Sequence, residues 1–311
     1  MRYTNLKKAN IRISNIGLGT NAVGGHNLYS NLDEEEGKLV VREALHQGIT
    51  FFDTADSYGF GRSEQLLGEA FKKDRTQVIL ATKGANERLE DGIIQKNNTP
   101  AYLRKALEAS LRRLQTDYVD IYYIHYPDGK TPLGEAVAEL VRMKEEGKIR
   151  AIGISNLTLD QLKEANVHND IDVFQSRYNM LERSADIELL PYCIKNEISF
   201  VPYGPLAFGI LGGKYGKYFR LDKTDWRNKV RLFEEDIFQD NLQKVYQLKN
   251  LASRMEMTLP DLALAWLLHQ DGIDTVIPGA KRADQVTENA KASDMTLTRS
   301  ELLIIDDILN A

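Results

Sequence analysis

The chain has 311 residues, 42% of them hydrophobic and 27% charged, the balance of a soluble protein with a full core. A net charge of −5 without any basic block argues against a nucleic-acid surface, and the richest apolar stretch, Leu262 to Leu268, is far too short to span a bilayer. A single cysteine, Cys193, excludes an internal disulfide framework, and the N-terminus carries no apolar targeting segment, so a reducing, cytoplasmic setting is expected.

In chain order, residues 4–6 and 11–14 read as a small hairpin that would plug one end of a barrel. Eight short runs then recur at 16–19, 49–53, 78–82, 119–125, 149–154, 173–175, 199–203 and 275–277. Each is β-branched, aromatic or leucine-rich, as strands buried on both faces must be. The stretches between them carry helix signals. Asp33 followed by three glutamates is an N-cap with acids in the first turn. Pro100, Pro132 and Pro260 fall near helix position N1, where a missing N–H costs nothing. Leu103, Leu107, Leu111 and Leu114 form one apolar stripe, and Gly48 and Gly147 sit where helices should stop.

Strands alternating with helices require parallel pairing, and eight such units predict a closed (β/α)8 barrel of the TIM type, with residues 1–311 as one domain. The one overlong connection, 209–240, follows the seventh strand and reads as a functional loop.

Chemistry in such a barrel lies at the C-terminal ends of the strands. Those positions hold Asp53, Lys83 and His125, with Tyr58 five residues into the second loop. Carbonyl reduction needs a proton donor, and a tyrosine is a poor one unless its phenolate is stabilised. Lys83 is expected to lower the pKa of Tyr58, Asp53 to hold Lys83 charged, and His125 to hydrogen-bond the carbonyl. Taken singly, each has a blander reading: a structural ion pair, a satisfied core histidine, a plain loop aromatic. Four such residues at one rim favour the catalytic reading.

The stretch Asp53-Thr-Ala-Asp-Ser-Tyr58-Gly-Phe-Gly-Arg-Ser63-Glu64-Gln-Leu-Leu-Gly68 resembles the first signature of the aldo-keto reductase superfamily. The resemblance continues through Ala81-Thr-Lys83, Tyr123-Ile-His125, Gly153-Ile-Ser155-Asn156, Tyr178-Asn179 and Ile277-Pro-Gly279-Ala-Lys281-Arg282, in order over almost the whole chain. The opening Gly17–Tyr29 is most similar to the bacterial inositol-operon (AKR11-type) branch.

That resemblance implies a catalytic tetrad of Asp53, Tyr58, Lys83 and His125, with Tyr58 as general acid, and NADP(H) lying across the barrel mouth. It implies carboxamide contacts from Ser155, Asn156 and Gln175, a nicotinamide stacked on Tyr203, and cofactor-lining backbone at Gly19, Thr20, Gly204, Pro205 and Leu206. Gly212 and Lys214 resemble a segment that closes over the pyrophosphate, while Glu288 and Asn289 match adenine contacts. Lys281 and Arg282, just before a predicted helix over 284–291, suit a ribose 2′-phosphate. Gly279-Ala280 and Gln285 replace the Lys-Ser and the arginine of the mammalian aldose-reductase branch, which leaves the 2′-phosphate to Lys281 and Arg282.

Gly17-Leu-Gly19-Thr-Asn-Ala22 formally fits a dinucleotide fingerprint, but no helix is predicted before Asp33, so Gly19-Thr20 reads as the first barrel loop. No histidine has zinc-like spacing, no metal is expected, and Cys193 reads as packing. The expected activity is NADPH-dependent reduction of a small aldehyde or ketone. A nucleotide-sensing binding protein is the second reading. The physiological substrate and the oligomeric state stay open.

Overall fold

A computed structural model describes residues 1–29 and 31–311. A β-hairpin of β1 (Tyr3–Asn5) and β2 (Arg12–Ser14) precedes the barrel, whose strands begin with β3 (Leu18–Gly19) and β4 (Phe51–Asp53), separated by helix α1 (Glu34–His46). After α2 (Arg62–Phe71) come β5 (Ile79–Gly84), a rim hairpin of β6 (Asn86–Arg88) and β7 (Ile94–Lys96), and α3 (Pro100–Leu114). Strict alternation follows: β8 (Val119–Ile124), α4 (Leu133–Glu145), β9 (Ile149–Ser155), α5 (Leu159–Ala165), β10 (Val173–Arg177), α6 (Leu189–Lys195) and β11 (Ser199–Tyr203). Four helices complete the chain: α7 (Glu235–Arg254), α8 (Leu259–Leu268), α9 (Ala283–Lys291) and α10 (Arg299–Asn310).

Seven strands form one parallel sheet in the order β11-β10-β9-β8-β5-β4-β3. The segment predicted as the eighth strand takes its place without a continuous ladder. Isolated parallel bridges join Ile16 to Val276, Gly19 to Gly279 and Phe200 to Ile273, closing the cylinder between β3 and β11. Pro278 has no N–H to extend that ladder.

Sequence signals become local structure in physically ordinary ways. The Asp33 carboxylate accepts from the Glu35 N–H at 2.9 Å and starts α1. Gly48 and Gly147 take φ of 78° and 75° where helices end. All four leucines of the α3 stripe are buried, each worth roughly 1.5–3 kcal/mol against exposure. Pro132 stands just ahead of α4 as its cap residue, and α7 claims the last residues of the predicted long loop.

Side chains alternate across the barrel wall. Phe52, Leu80, Tyr122, Ile152, Phe174 and Phe200 face the helices. Phe51, Ala81, Ile121, Ala151, Val173, Val201 and Ile277 face inward and pack on Leu6, Ile11 and Ile13 of the hairpin, which fills the lower end. Two residues further along β4, β5, β10 and β11 the inward layer carries Asp53, Lys83, Gln175 and Tyr203. Register sets these side by side: Gly19 pairs with Asp53, Lys83 with Tyr123, and Ser155 with Gln175. Gly153 is bare because the Tyr123 ring lies over it; an added Cβ would meet that ring at 2.3 Å.

Candidate active site

The upper inward layer brings together the residues singled out in the sequence. Lys83 is fully buried, and its Nζ donates to Asp53 Oδ1 at 2.5 Å and to the Thr54 carbonyl at 2.8 Å. The other Asp53 oxygen accepts from Gln175 Nε2 at 2.8 Å. Lys83 Nζ lies 5.3 Å from the ring centroid of Tyr58, and the ring of His125 meets Tyr58 edge-on at 6.2 Å. Tyr58 is held by its neighbours in the loop: Asn27 donates to the Ser57 carbonyl at 3.1 Å and accepts from the Gly59 N–H at 2.7 Å. Gly59 itself, at φ 60°, has no room for a side chain, since a Cβ would collide with the Gly24 carbonyl oxygen.

One expectation is corrected. Lys83 does not bring the Tyr58 pKa down: burial first, and then the Asp53 carboxylate, push the phenol well above its usual value. Burial is the main cause, and Lys83 acts through a tight pair with Asp53, whose carboxylate offsets part of its charge. Tyr58 is therefore a neutral O–H donor at neutral pH. Burial, then Lys83 and Lys96, hold the His125 imidazole well below its usual range, so it is neutral too. Its ring stacks on Tyr126 at 4.6 Å, and its carbonyl accepts from Asn156 Nδ2 at 2.9 Å.

The remaining predicted residues fall into three groups. Ser155, Gln175 and Tyr203 sit on inward strand ends, with Asn156 at φ 60° tying Ser155 Oγ and the Tyr203 hydroxyl (2.8 Å) together. Thr20 is spent on structure, its hydroxyl donating to the Asp53 carbonyl at 2.9 Å beside Gly19. Gly204, Pro205 and Leu206 form the turn after β11, where the Gly204 carbonyl accepts from Asn179. Gly212 and the exposed Lys214 lie further along that connection.

The third group is at the start of α9. Gln285 Oε1 accepts from the backbone N–H of Lys281 at 2.8 Å and so caps the helix. Arg282 is gripped by Asp284 through two hydrogen bonds, and the exposed Glu288 pairs with Lys291. Asn289 is buried, while Gly279 is open backbone beside Asn21. Lys281 Nζ lies 4.1 Å from the Tyr29 ring centroid, and burial followed by Arg227 pushes its ammonium pKa down.

Several residues of this rim were not singled out in the sequence. Tyr29 meets Trp226 edge-on at 6.4 Å, and Trp226 meets Phe208 at 5.5 Å, so the first and seventh loops interlock over the mouth. Arg227 ties that loop down through the Phe208 carbonyl and the Tyr215 hydroxyl. Asn27 and Tyr126 support the tetrad from loops, and Asn86 from the start of β6. Asn27 and Tyr29 fall within the Gly17–Tyr29 stretch and Tyr126 adjoins His125, but none of these motifs marks their contacts.

Residues 15–310 match the model of the aldo/keto reductase family. The chain is 37% identical to the aldo-keto reductase YhdN of Bacillus subtilis, covering 99% of this chain and 94% of that protein. It is 34% identical to the NADH-specific methylglyoxal reductase of Escherichia coli, covering 100% and 99%. The glycerol dehydrogenase AKR11B4 of Gluconobacter oxydans superposes with a TM-score of 0.89 at 32% identity, covering 96% and 92%. The chain thus belongs to the aldo/keto reductase family, on an α/β barrel, and is an oxidoreductase. No helix among the described residues is long and apolar enough to cross a membrane.

Proposed function

We propose that this chain is an NADPH-dependent carbonyl reductase, acting as one domain over residues 1–311 and converting small aldehydes or ketones to alcohols. The observation that carries the reading is the buried Lys83–Asp53 pair beneath Tyr58 and beside a neutral His125, at the rim where barrel enzymes do their chemistry. The site fits a nicotinamide dinucleotide. Tyr203 offers a half-buried flat ring linked through Asn156 to Ser155, Ser155 pairs in register with Gln175, and α9 opens beside Lys281 and Arg282. Gly19, Gly204 and Gly279 leave bare backbone between the two ends.

When bound, the cofactor supplies the hydride that reduces the carbonyl carbon. The chain's own residues manage the oxygen. His125 hydrogen-bonds the carbonyl, and Tyr58 gives its phenolic proton to the oxygen as negative charge develops there. An alkoxide is a far stronger base than a phenolate, so transfer is downhill even from a phenol with a raised pKa. Lys83 stands close to stabilise the phenolate until solvent returns the proton. Asp53 and Gln175 keep Lys83 in place. A nucleotide sensor would need no such acid.

Lys281 and Arg282 are the source of NADPH selectivity, and the NADH-specific relative makes this the sharpest point to test. The lone Cys193 is buried, with its thiol pushed up to about 12 by burial, which suits a reducing cytoplasm without requiring it. The experiment is NADPH consumption with an activated aromatic aldehyde, comparing wild type with Tyr58→Phe. Turnover by wild type alone supports the reading. Tight NADPH binding without turnover would move it to nucleotide sensing.

A further inference from the structure

His125 poses a question of proton placement. A neutral imidazole carries one proton, on Nδ1 or on Nε2, and the other nitrogen can only accept. Nδ1 of His125 lies 3.0 Å from Nδ2 of Asn86, whereas Nε2 makes no hydrogen bond among the described residues. Asn86 Oδ1 in turn accepts from Lys96 Nζ.

We infer that Lys96 and Asn86 are a positioning pair that fixes the His125 proton on Nε2, so that the ring donates to the substrate oxygen. This rests on the reductase reading. The argument is one of donor and acceptor polarity. An ammonium can only donate, so Lys96 must face the carbonyl edge of the Asn86 amide. The NH2 edge then faces Nδ1, which must present its lone pair. The single proton is left on Nε2. Turning the amide over would set NH2 against an ammonium, and moving the proton to Nδ1 would set N–H against NH2.

The framework holds both ends of this chain. Asn86 and Lys96 are direct cross-strand partners in the β6–β7 hairpin. Lys96 Nζ also sits 4.0 Å from the centroid of the Tyr126 ring, whose other neighbour is the stacked His125 at an interplanar angle of 21°. Glu87 fastens the hairpin by accepting from Gln95 at 2.9 Å and Asn97 at 2.8 Å. This gives a short, polar, exposed hairpin a reason to stand at the rim.

The test uses full-length protein labelled with 15N-histidine and saturated with NADP+, the His125 signals being assigned by their loss in His125→Gln. Two-bond 1H–15N correlation spectra of wild type should show the Nε2–H tautomer. Asn86→Asp presents an acceptor to Nδ1 and should invert it. That variant should lose ~10²-fold in kcat/KM for the aldehyde, as when one preorganised donor is removed, while NADPH affinity stays unchanged. Lys96→Met frees the amide to turn and should give mixed tautomers and about a tenfold loss.

A hairpin that merely braced the rim would weaken NADPH binding or melting temperature without inverting the proton. An Nδ1–H wild type, an Asn86→Asp that keeps wild-type spectra, or an inverted ring with unchanged kcat/KM overturns the inference. Failure of the reductase reading is seen separately, in a wild type that reduces no aldehyde, and there the spectra still decide what Asn86 and Lys96 do.

Discussion

The two ends of this barrel treat a buried aspartate differently. At the lower end Asp120, on the first turn of β8, accepts from Arg75 at 2.8 Å, from Arg150 at 2.6 Å and from the Leu80 N–H at 2.9 Å. Asp172 likewise takes Lys144 at 2.6 Å and the Ile152 N–H at 2.7 Å. Their cationic partners keep contact with water, with side chains exposed by 13%, 46% and 38% for Arg75, Arg150 and Lys144. At the upper end Asp53 holds Lys83, whose side chain is only 1% exposed. The same ion pair chemistry is a staple where its cation is hydrated and a source of local field where it is not. Position along the strand, not residue type, decides which.

Substitutions can break that contrast. The largest effect is expected from Tyr58→Phe at the upper end: a loss of ~10²–10⁴ in kcat, about 3–5 kcal/mol, with NADPH affinity and melting temperature unchanged. Turnover near wild type would mean that another group delivers the proton. Asp120→Asn should do the reverse at the lower end. It leaves Arg75 and Arg150 without a counter-charge and should cost about 3 kcal/mol in urea unfolding, with kcat untouched. A fall in kcat without loss of stability would erase the distinction between the ends.

Smaller effects sharpen it. Lys281→Ala combined with Arg282→Ala should weaken NADPH about tenfold, near 1.4 kcal/mol, and NADH much less. Equal losses in titrations with both nucleotides would remove the 2′-phosphate role. Asp56 adds a pH dependence: its Oδ1 is buried without a partner among the described residues, and its carboxyl is pushed up to about 8, by burial and then by Glu64. Its folded pKa lies above the unfolded one, so its contribution is fully present below about pH 4 and is lost as pH rises through about 8. Melting curves from pH 5 to 9 should fall more steeply for wild type than for Asp56→Asn. Parallel curves would show that Asp56 titrates normally.

Much of this was legible in the sequence because both the wall and its upper rim are written in local patterns. The runs ending in Asp53, Lys83 and His125 carried strand and site together, since a strand's last inward residue is by geometry a site residue. The cap at Asp33 and the helix start at Pro100 are equally local. What escaped depends on partners remote in the chain. The β6–β7 hairpin lies at the rim with no apolar alternation to announce it. Tyr29 and Trp226 meet only because two distant loops converge. The direction of the Tyr58 pKa escapes for a related reason: sequence shows the lysine and the aspartate, but not how completely the folded loop buries the phenol.

The hairpin under the barrel has a consequence for traffic. With Leu6, Ile11 and Ile13 packed into the lower end, the cylinder is a cup with one doorway rather than a pipe. The site is therefore open from one side only, and cofactor and substrate must both approach the rim from that face.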